Sequence, residues 1–359
     1  FSNNQWFTAP SSDDVVSISN SALFKDGSSQ SLNRTFDSGG NRKTWTCSMW
    51  AYRGRQGGDN SLFTGYGNGS QAAGFYFSND SGTADRLEFW NNYSGGWTTY
   101  FKTSALFRDI GWYHIVVVFD STDPIETDRM RLYVNGVRFT SFSAVDWPAQ
   151  DEDGFINQAQ IHSIGSLTNG AYWYDGYIAE TVFINGSALE PTSFGAYDST
   201  GLYWTPLSPD TIKELTFGTN GFYLDNATNA QTDASGEGNN FTNANTVTTN
   251  VHTPTNMYAL LNPLMSGSTG TFSEGNRRAT LPAVNTNVCS TLPVGGAGVS
   301  GKWYCEFQFN TIVGYAVVGV GIMDSASWLV DGAIYYSSTP AFSENGTLFT
   351  QGTTSGSSI

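Results

Sequence analysis

The strongest pattern in the chain is residues 112–119, WYHIVVVF. Tyr113, Ile115, Val117 and Phe119 alternate with Trp112, His114, Val116 and Val118, and nearly all are apolar. That reads as a strand covered on both faces. An acidic loop with Asp120, Asp123, Glu126 and Asp128 follows. Residues 129–134 then form a second strand, with Met130, Leu132 and Val134 on one side. Asn135-Gly136 supplies the two left-handed residues of a type I′ turn, and 137–142 returns as the third strand of a meander. Upstream, 44–52 alternates Trp45, Cys47 and Met49 with Thr44, Thr46 and Ser48, and 31–36 reads as an edge strand. Further strands are expected at 61–66, 74–78, 86–91, 98–103, 160–164 and 177–184, separated by Gly, Asn, Ser and Asp turns. Many short strands closely spaced mark a β-sandwich.

Beyond residue 205 the pattern changes. Residues 206–270 are rich in Asn, Thr and Gly and poor in aliphatic side chains, the composition of a linker, with Phe222 and Tyr223 as local anchors. From residue 271 strands resume, clearest in 302–309 (KWYCEFQF) and 315–322 (YAVVGVGI). No stretch holds a sustained 3.6-residue period, so helices should be few and short. The three segments predict an all-β chain: a sandwich over 1–205, a connector over 206–270 and a second sandwich over 271–359.

Composition narrows the function. A formal charge of -15 disfavours nucleic acid, which needs a basic surface, and anionic lipid equally. The apolar runs are too short to span a bilayer. Three cysteines are not a disulfide scaffold; Cys289 and Cys305 flank a Gly-rich 295–298 that could pair them in a hairpin, but two small core residues are the simpler reading. The chain starts at Phe1 rather than Met, which leaves room for a preceding segment.

Two stretches carry a family resemblance. WYHIVVVFD with RLYVNGV resembles the central hairpin of laminin-G-like, concanavalin A-type jelly rolls. SLNRTFDSGGNRKTWTCSMWAYRG and DGYIAETVFINGSALEPTSFGAYD are similar to the opening and closing strands of such domains in tail-associated proteins of marine bacteriophages, and the Asn/Thr-rich connector resembles theirs. SGKWYCEFQF with AVVGVGI is similar to the core of SPRY domains; the usual later strand is absent, so either the domain is truncated or the sequence stops before the real C-terminus. The resemblance implies a virion protein: a tail fibre or other host-contacting appendage, exposed to the medium, a homotrimer with other virion proteins as partners, binding host cell-surface glycan. The alternatives are a capsid or tail decoration protein that makes only protein contacts and, further behind, a glycan-cleaving enzyme.

The residues offer little catalytic chemistry. His114, His162 and His252 are isolated, with His114 in a core strand. Glu180 and the run Asp151-Glu152-Asp153 are the nearest candidates for glycosidase carboxylates, yet neither supplies the required spacing, and we expect no enzyme. Calcium, which takes six to eight oxygen ligands, is the cofactor the acidic loops would admit, at Asp120, Asp123 and Asp128 or at Asp151 and Asp153. Each loop alone reads first as a solvated acidic turn. Sugar recognition needs planar aromatics beside hydroxyl partners. Such groups cluster in predicted loops at Trp90, Asn92, Tyr93 and Trp97, and at Asn169, Tyr172, Trp173 and Asp175. Capping of the sandwich ends would explain them as well.

Overall fold

The computed structural model describes residues 16–280, except 69–70, 80–84, 94–95, 110, 168–169, 259 and 267–269, and beyond 280 only five three-residue strands. It comprises two compact units, one covering residues 1–257 with 273–275 and the other the remainder.

The first unit is a sandwich of two eight-stranded sheets. In chain order its strands are β1 (Ser21–Phe24), β2 (Ser31–Thr35), β3 (Thr44–Arg53), β4 (Asn60–Asn68), β5 (Gln71–Ser78), β6 (Arg86–Tyr93), β7 (Gly96–Thr103), β8 (Trp112–Asp120) and β9 (Met130–Val134). There follow β10 (Val137–Phe139), β11 (Phe142–Asp146), β12 (Ile161–Ile164), β13 (Gly176–Asn185), β14 (Gly195–Tyr197), β15 (Trp204–Pro206), helix α1 (Pro209–Lys213), β16 (Phe222–Leu224), β17 (Thr242–Ala244) and β18 (Thr248–Asn250). One sheet runs β10-β9-β8-β3-β13-β1-β18, with β16 also on β13; the other runs β11-β7-β6-β5-β4-β12-β2-β17. This is the all-β sandwich that the strand pattern predicts, with the jelly-roll architecture that the resemblance implies.

The central strand explains the layering. On β8 the set Tyr113, Ile115, Val117 and Phe119 enters the core between the sheets, where Trp45 stacks on Phe119 at 5.5 Å. Val116 and Val118 belong to a second core on the outer side of the same sheet, with Val182, Phe194, Ile212, Phe217 and Tyr223. Both faces are thus dry, which is why the run carries no polar alternation. Asn135 (φ 50°) and Gly136 (φ 76°) make the expected turn from β9 to β10.

The third strand of the meander does not run through to Phe142. It stops at Phe139, and the chain crosses to the other sheet, where β11 pairs with β7. Phe139 and Phe142 meet edge to face at 5.7 Å on either side of the crossing, so the core they share holds the two sheets together. Nor is β2 an edge: β17 covers it, pairing Thr242 with Asn33. Residues 206–257 therefore sit within the first unit, supplying one strand to the outer flank of one sheet and two to the other.

β13 changes partners along its length. Residues Gly176, Tyr177 and Ile178 pair with β1, and Thr181, Val182 and Phe183 pair with β16. Glu180 sits at the switch with φ 52°, in a bulge against β3.

In the second unit, Leu261–Ser266 pairs with Val288–Ser290, and Val317–Gly319, Ala341–Ser343, Leu348–Thr350 and Thr353–Ser355 form a four-stranded antiparallel sheet. The KWYCEFQF segment, Cys305 and most of YAVVGVGI lie outside the described residues.

Candidate functional site

Residues projecting from the outer face of the second sheet follow from strand alternation. Leu87, Phe89, Phe75, Phe77 and Phe101 fill the core, so Tyr76, Glu88, Tyr100 and Lys102 point the other way. Register aligns them: Tyr76 lies opposite Glu88, and Glu88 opposite Lys102. Glu88 Oε2 accepts hydrogen bonds from the Tyr76 and Tyr100 hydroxyls, each at 3.0 Å, and Lys102 Nζ lies 2.8 Å from Oε1. The carboxylate is only 5% exposed, so its charge is consumed internally and the phenol rims face outward.

This strip runs into a cleft of about 480 Å³ at the rim of the sandwich. Tyr172 joins the two, its ring stacked on Tyr76 at 5.6 Å and 14°. It is 40% exposed and adopts φ 56°, a conformation uncommon for a bulky residue. Trp173 lines the cleft beside it, facing Asp26, Arg55, Asp59 and Asn79. Arg55 Nη1 is ion-paired with Asp26, and Asp59 Oδ1 accepts from the Asn79 amide at 2.7 Å. The glycine-containing wall at 57–58 is fixed from behind, since Gly57 N donates to Asp85 Oδ1 at 2.7 Å. Asp85 in turn pairs with buried Arg53 at 2.9 Å and with Arg108 at 2.9 Å. Burial opposes the Asp85 charge, but Arg53 and these donors outweigh it and hold its carboxyl below the usual range.

Of the residues singled out from sequence, Tyr172 and Trp173 line this cleft; Tyr76, Glu88, Tyr100, Lys102, Asp26, Arg55 and Asp59 were not singled out. Alternation within β5, β6 and β7 would have exposed the first four. The others come from separate loops with no linear motif. Trp90, Asn92, Tyr93 and Trp97 prove to lie on strands rather than in a loop: β6 and β7 continue to Tyr93 and Gly96, with Asn92 opposite Trp97. Hairpin pairing absorbs the expected loop. Trp90 is 9% exposed on the outer face. Asp175 is buried beneath the cleft, with Oδ1 accepting from Gly275 N at 3.1 Å. Burial, reinforced by the neighbouring Asp26 charge, pushes its carboxyl up to about 7. Asn169 lies outside the described residues.

The proposed calcium ligands are not brought together. Asp120 Oδ1 accepts from the Thr122 hydroxyl at 2.6 Å, Asp123 from Ile125 N at 2.8 Å, and Asp128 pairs with Arg138. Asp151 faces Lys43 at 3.5 Å and Asp153 faces Arg42 at 3.8 Å. Among the described residues no three acidic, histidine or cysteine side chains form a metal-holding group.

Two buried groups resemble catalytic pairs but are built otherwise. Ser48 Oγ is 2.9 Å from His114 Nε2, and Trp204 Nε1 lies 2.8 Å from Nδ1. The indole can only donate, so the neutral ring carries its proton on Nε2 and donates to the serine. The ring cannot take a proton from that hydroxyl, and burial lowers its pKa to about 3. Glu180 is held by the Tyr223 hydroxyl through Oε2, while Oε1 has no hydrogen-bond partner. Burial raises its pKa to about 8.

Residues 25–193 match the laminin-G-like family of the concanavalin A-like lectin/glucanases superfamily. That segment is a laminin-G-like jelly roll. Among solved structures the chain is similar to a candidate carbohydrate-binding protein from Bacteroides ovatus, at 17% identity and a TM-score of 0.46, over 65% of this chain and 60% of that one. The chain thus spans three fifths of that protein's length. It is also similar to a heptameric SAP-like pentraxin from Limulus polyphemus (13% identity, TM-score 0.38, 67% of this chain and 98% of that one). Domains LG4-5 of the mouse laminin alpha1 chain give 14% identity and a TM-score of 0.35, over 52% and 48%. No curated protein matches the sequence.

Proposed function

We propose that this protein binds carbohydrate, in the cleft edged by Tyr172 and Trp173 and along the tyrosine strip beside it. The observation that carries this reading is the exposed Tyr172 ring stacked on Tyr76 at the mouth of a cleft of about 480 Å³. Planar rings cover the apolar face of a pyranose, and the adjoining carboxylate and amide groups take its hydroxyls. A cleft of this size falls within the usual range for small ligands. The laminin-G-like segment, from a superfamily named for lectins and glucanases, supports the same reading.

The finer proposal is a tail fibre or other host-contacting appendage of a marine bacteriophage, assembled as a homotrimer and displaying the cleft to the host surface. Its support is the resemblance of the opening, closing and connector segments, together with the acidic charge. Trimeric display would amplify weak single-site contacts through multivalency.

Tyr172→Ala and Trp173→Ala test the site. Each removes ring area without emptying the core, so the melting temperature should stay near that of the parent. Binding on a glycan array should fall about tenfold or more, the loss of roughly 1.4 kcal/mol. Parent-like binding by both variants would mean that the rings only cap the sandwich.

A further inference from the structure

We propose that the glycan taken by this cleft is uncharged, and that the cleft rejects sulfated and uronate-bearing chains. The inference rests on the carbohydrate-binding reading and specifies its substrate class.

The cations along this surface are already committed. Arg55 is the guanidinium lining the cleft. Its Nη1 is paired with Asp26, and its Nη2 reaches the Asp59 carbonyl at 3.5 Å. Farther along the strip Lys102 is held 2.8 Å from Glu88 and is only 11% exposed. A sulfate or carboxylate on the ligand would have to shed water and compete with Asp26 for Arg55, which is costly. Asp26 and Asp59 oppose the single guanidinium in the cleft, and the molecule as a whole carries a formal charge of -15. The local and the long-range fields therefore both repel an anion.

What the surface offers instead is a set of acceptors. The Tyr76 hydroxyl spends its proton on Glu88, leaving its oxygen lone pairs. Asp59 uses Oδ1 for the Asn79 amide and retains the acceptor capacity of Oδ2. Sugar hydroxyls donate to such groups, and a site built to receive them discriminates by the hydrogen bonds it would otherwise leave unmade.

The test is an array of neutral, uronate-bearing and sulfated glycans, probed with the full chain, Tyr172→Ala and Asp26→Asn at low and high salt. Neutral glycans should bind the parent and be lost in Tyr172→Ala, with affinity nearly independent of salt. Asp26→Asn keeps the acceptor for Gly27 N but releases Arg55, so it should raise binding of sulfated glycans about fivefold at low salt, and less at high salt. Anionic glycans that bind the parent and are lost in Tyr172→Ala would overturn this inference while leaving the carbohydrate site in place. No gain by a folded Asp26→Asn would also count against it. If no glycan depends on Tyr172, the site itself is wrong and the inference falls with it.

Discussion

Asn157 shows how much one polar side chain settles. It is fully buried with φ 74°. Its Nδ2 donates to the Asn41 carbonyl and to Asn185 Oδ1, its Oδ1 accepts from Asn220, and its backbone N donates to His162 Nε2. Four segments far apart in sequence meet there. Asn157→Ala strips these bonds and places a Cβ residue without a local partner in the left-handed region, so it should cost about 3 kcal/mol or more in a denaturant melt. Asn157→Gly should recover roughly 1 kcal/mol of that by easing the backbone. Glu180 gives a prediction in pH. Its folded pKa of about 8 lies above the ordinary carboxylate value. The stability it contributes is therefore full at low pH and lost as pH rises through about 8. Glu180→Gln imitates the protonated acid. The variant should match the parent only near pH 4, lead it by on the order of 2 kcal/mol at pH 6 and by on the order of 4 kcal/mol at pH 9, with the parent itself losing stability between pH 6 and 9. A parent melt that is flat over that interval would contradict the assignment.

The loops that form the cleft are positioned by buried charge. Arg53, 1% exposed, donates to the Phe107 carbonyl at 2.7 Å, pairs with Asp85 and lies over the Phe77 ring at 4.4 Å. Asp85 also fixes Gly57, which ties the end of β3, the turn before β6 and the wall of the cleft to one point. Asp85→Ala leaves a buried guanidinium unpaired and should cost about 3–5 kcal/mol. Lys102→Met lies away from that node. It leaves the buried Glu88 carboxylate with its two tyrosine donors but no cation, so it should also cost stability, though less than Asp85→Ala, and should weaken binding along the strip. Measuring both variants by calorimetry and glycan binding separates the scaffold from the surface. Equal losses of stability in the two would contradict this division.

Across the whole molecule the titrating groups oppose one another. Burial lowers the pKa of His114 and His252 to about 3 and, despite a hydrogen bond to the Gln160 carbonyl, that of His162 to about 4. Each must stay neutral in the fold, so stability falls as pH drops below about 6.5, where the unfolded chain takes up protons and the folded one does not. Glu180 and Asp175 act the other way, taking up protons in the fold as pH falls through about 8 and 7. The parent should therefore change little between pH 7 and 5, whereas Glu180→Gln should lose stability steadily over that interval. A parallel pair of curves would show that the buried carboxyl does not titrate there.

How much of this was legible beforehand follows from range. Strand alternation and turn chemistry are local, so 112–119, the Asn135-Gly136 turn and the strand-rich class could be read directly, as could Tyr172 and Trp173 as rings in a loop that no core explains. The crossing between Phe139 and Phe142, the covering of β2 by β17 and the change of partner at Glu180 could not. Each depends on pairing between segments distant along the chain, which leaves no trace in either segment alone. The linker-like composition of 206–257 did not show where the segment packs, for the same reason: its Asn and Thr side chains close turns, while its few apolar residues, Phe217, Phe222, Tyr223 and Phe241, cover faces supplied by the sandwich. Local sequence thus determined which residues form strands and which rings lack a core. Only tertiary packing decided which sheet each strand joined, and which charges met in the cleft and cancelled there, because both are properties of side chains brought together across the fold.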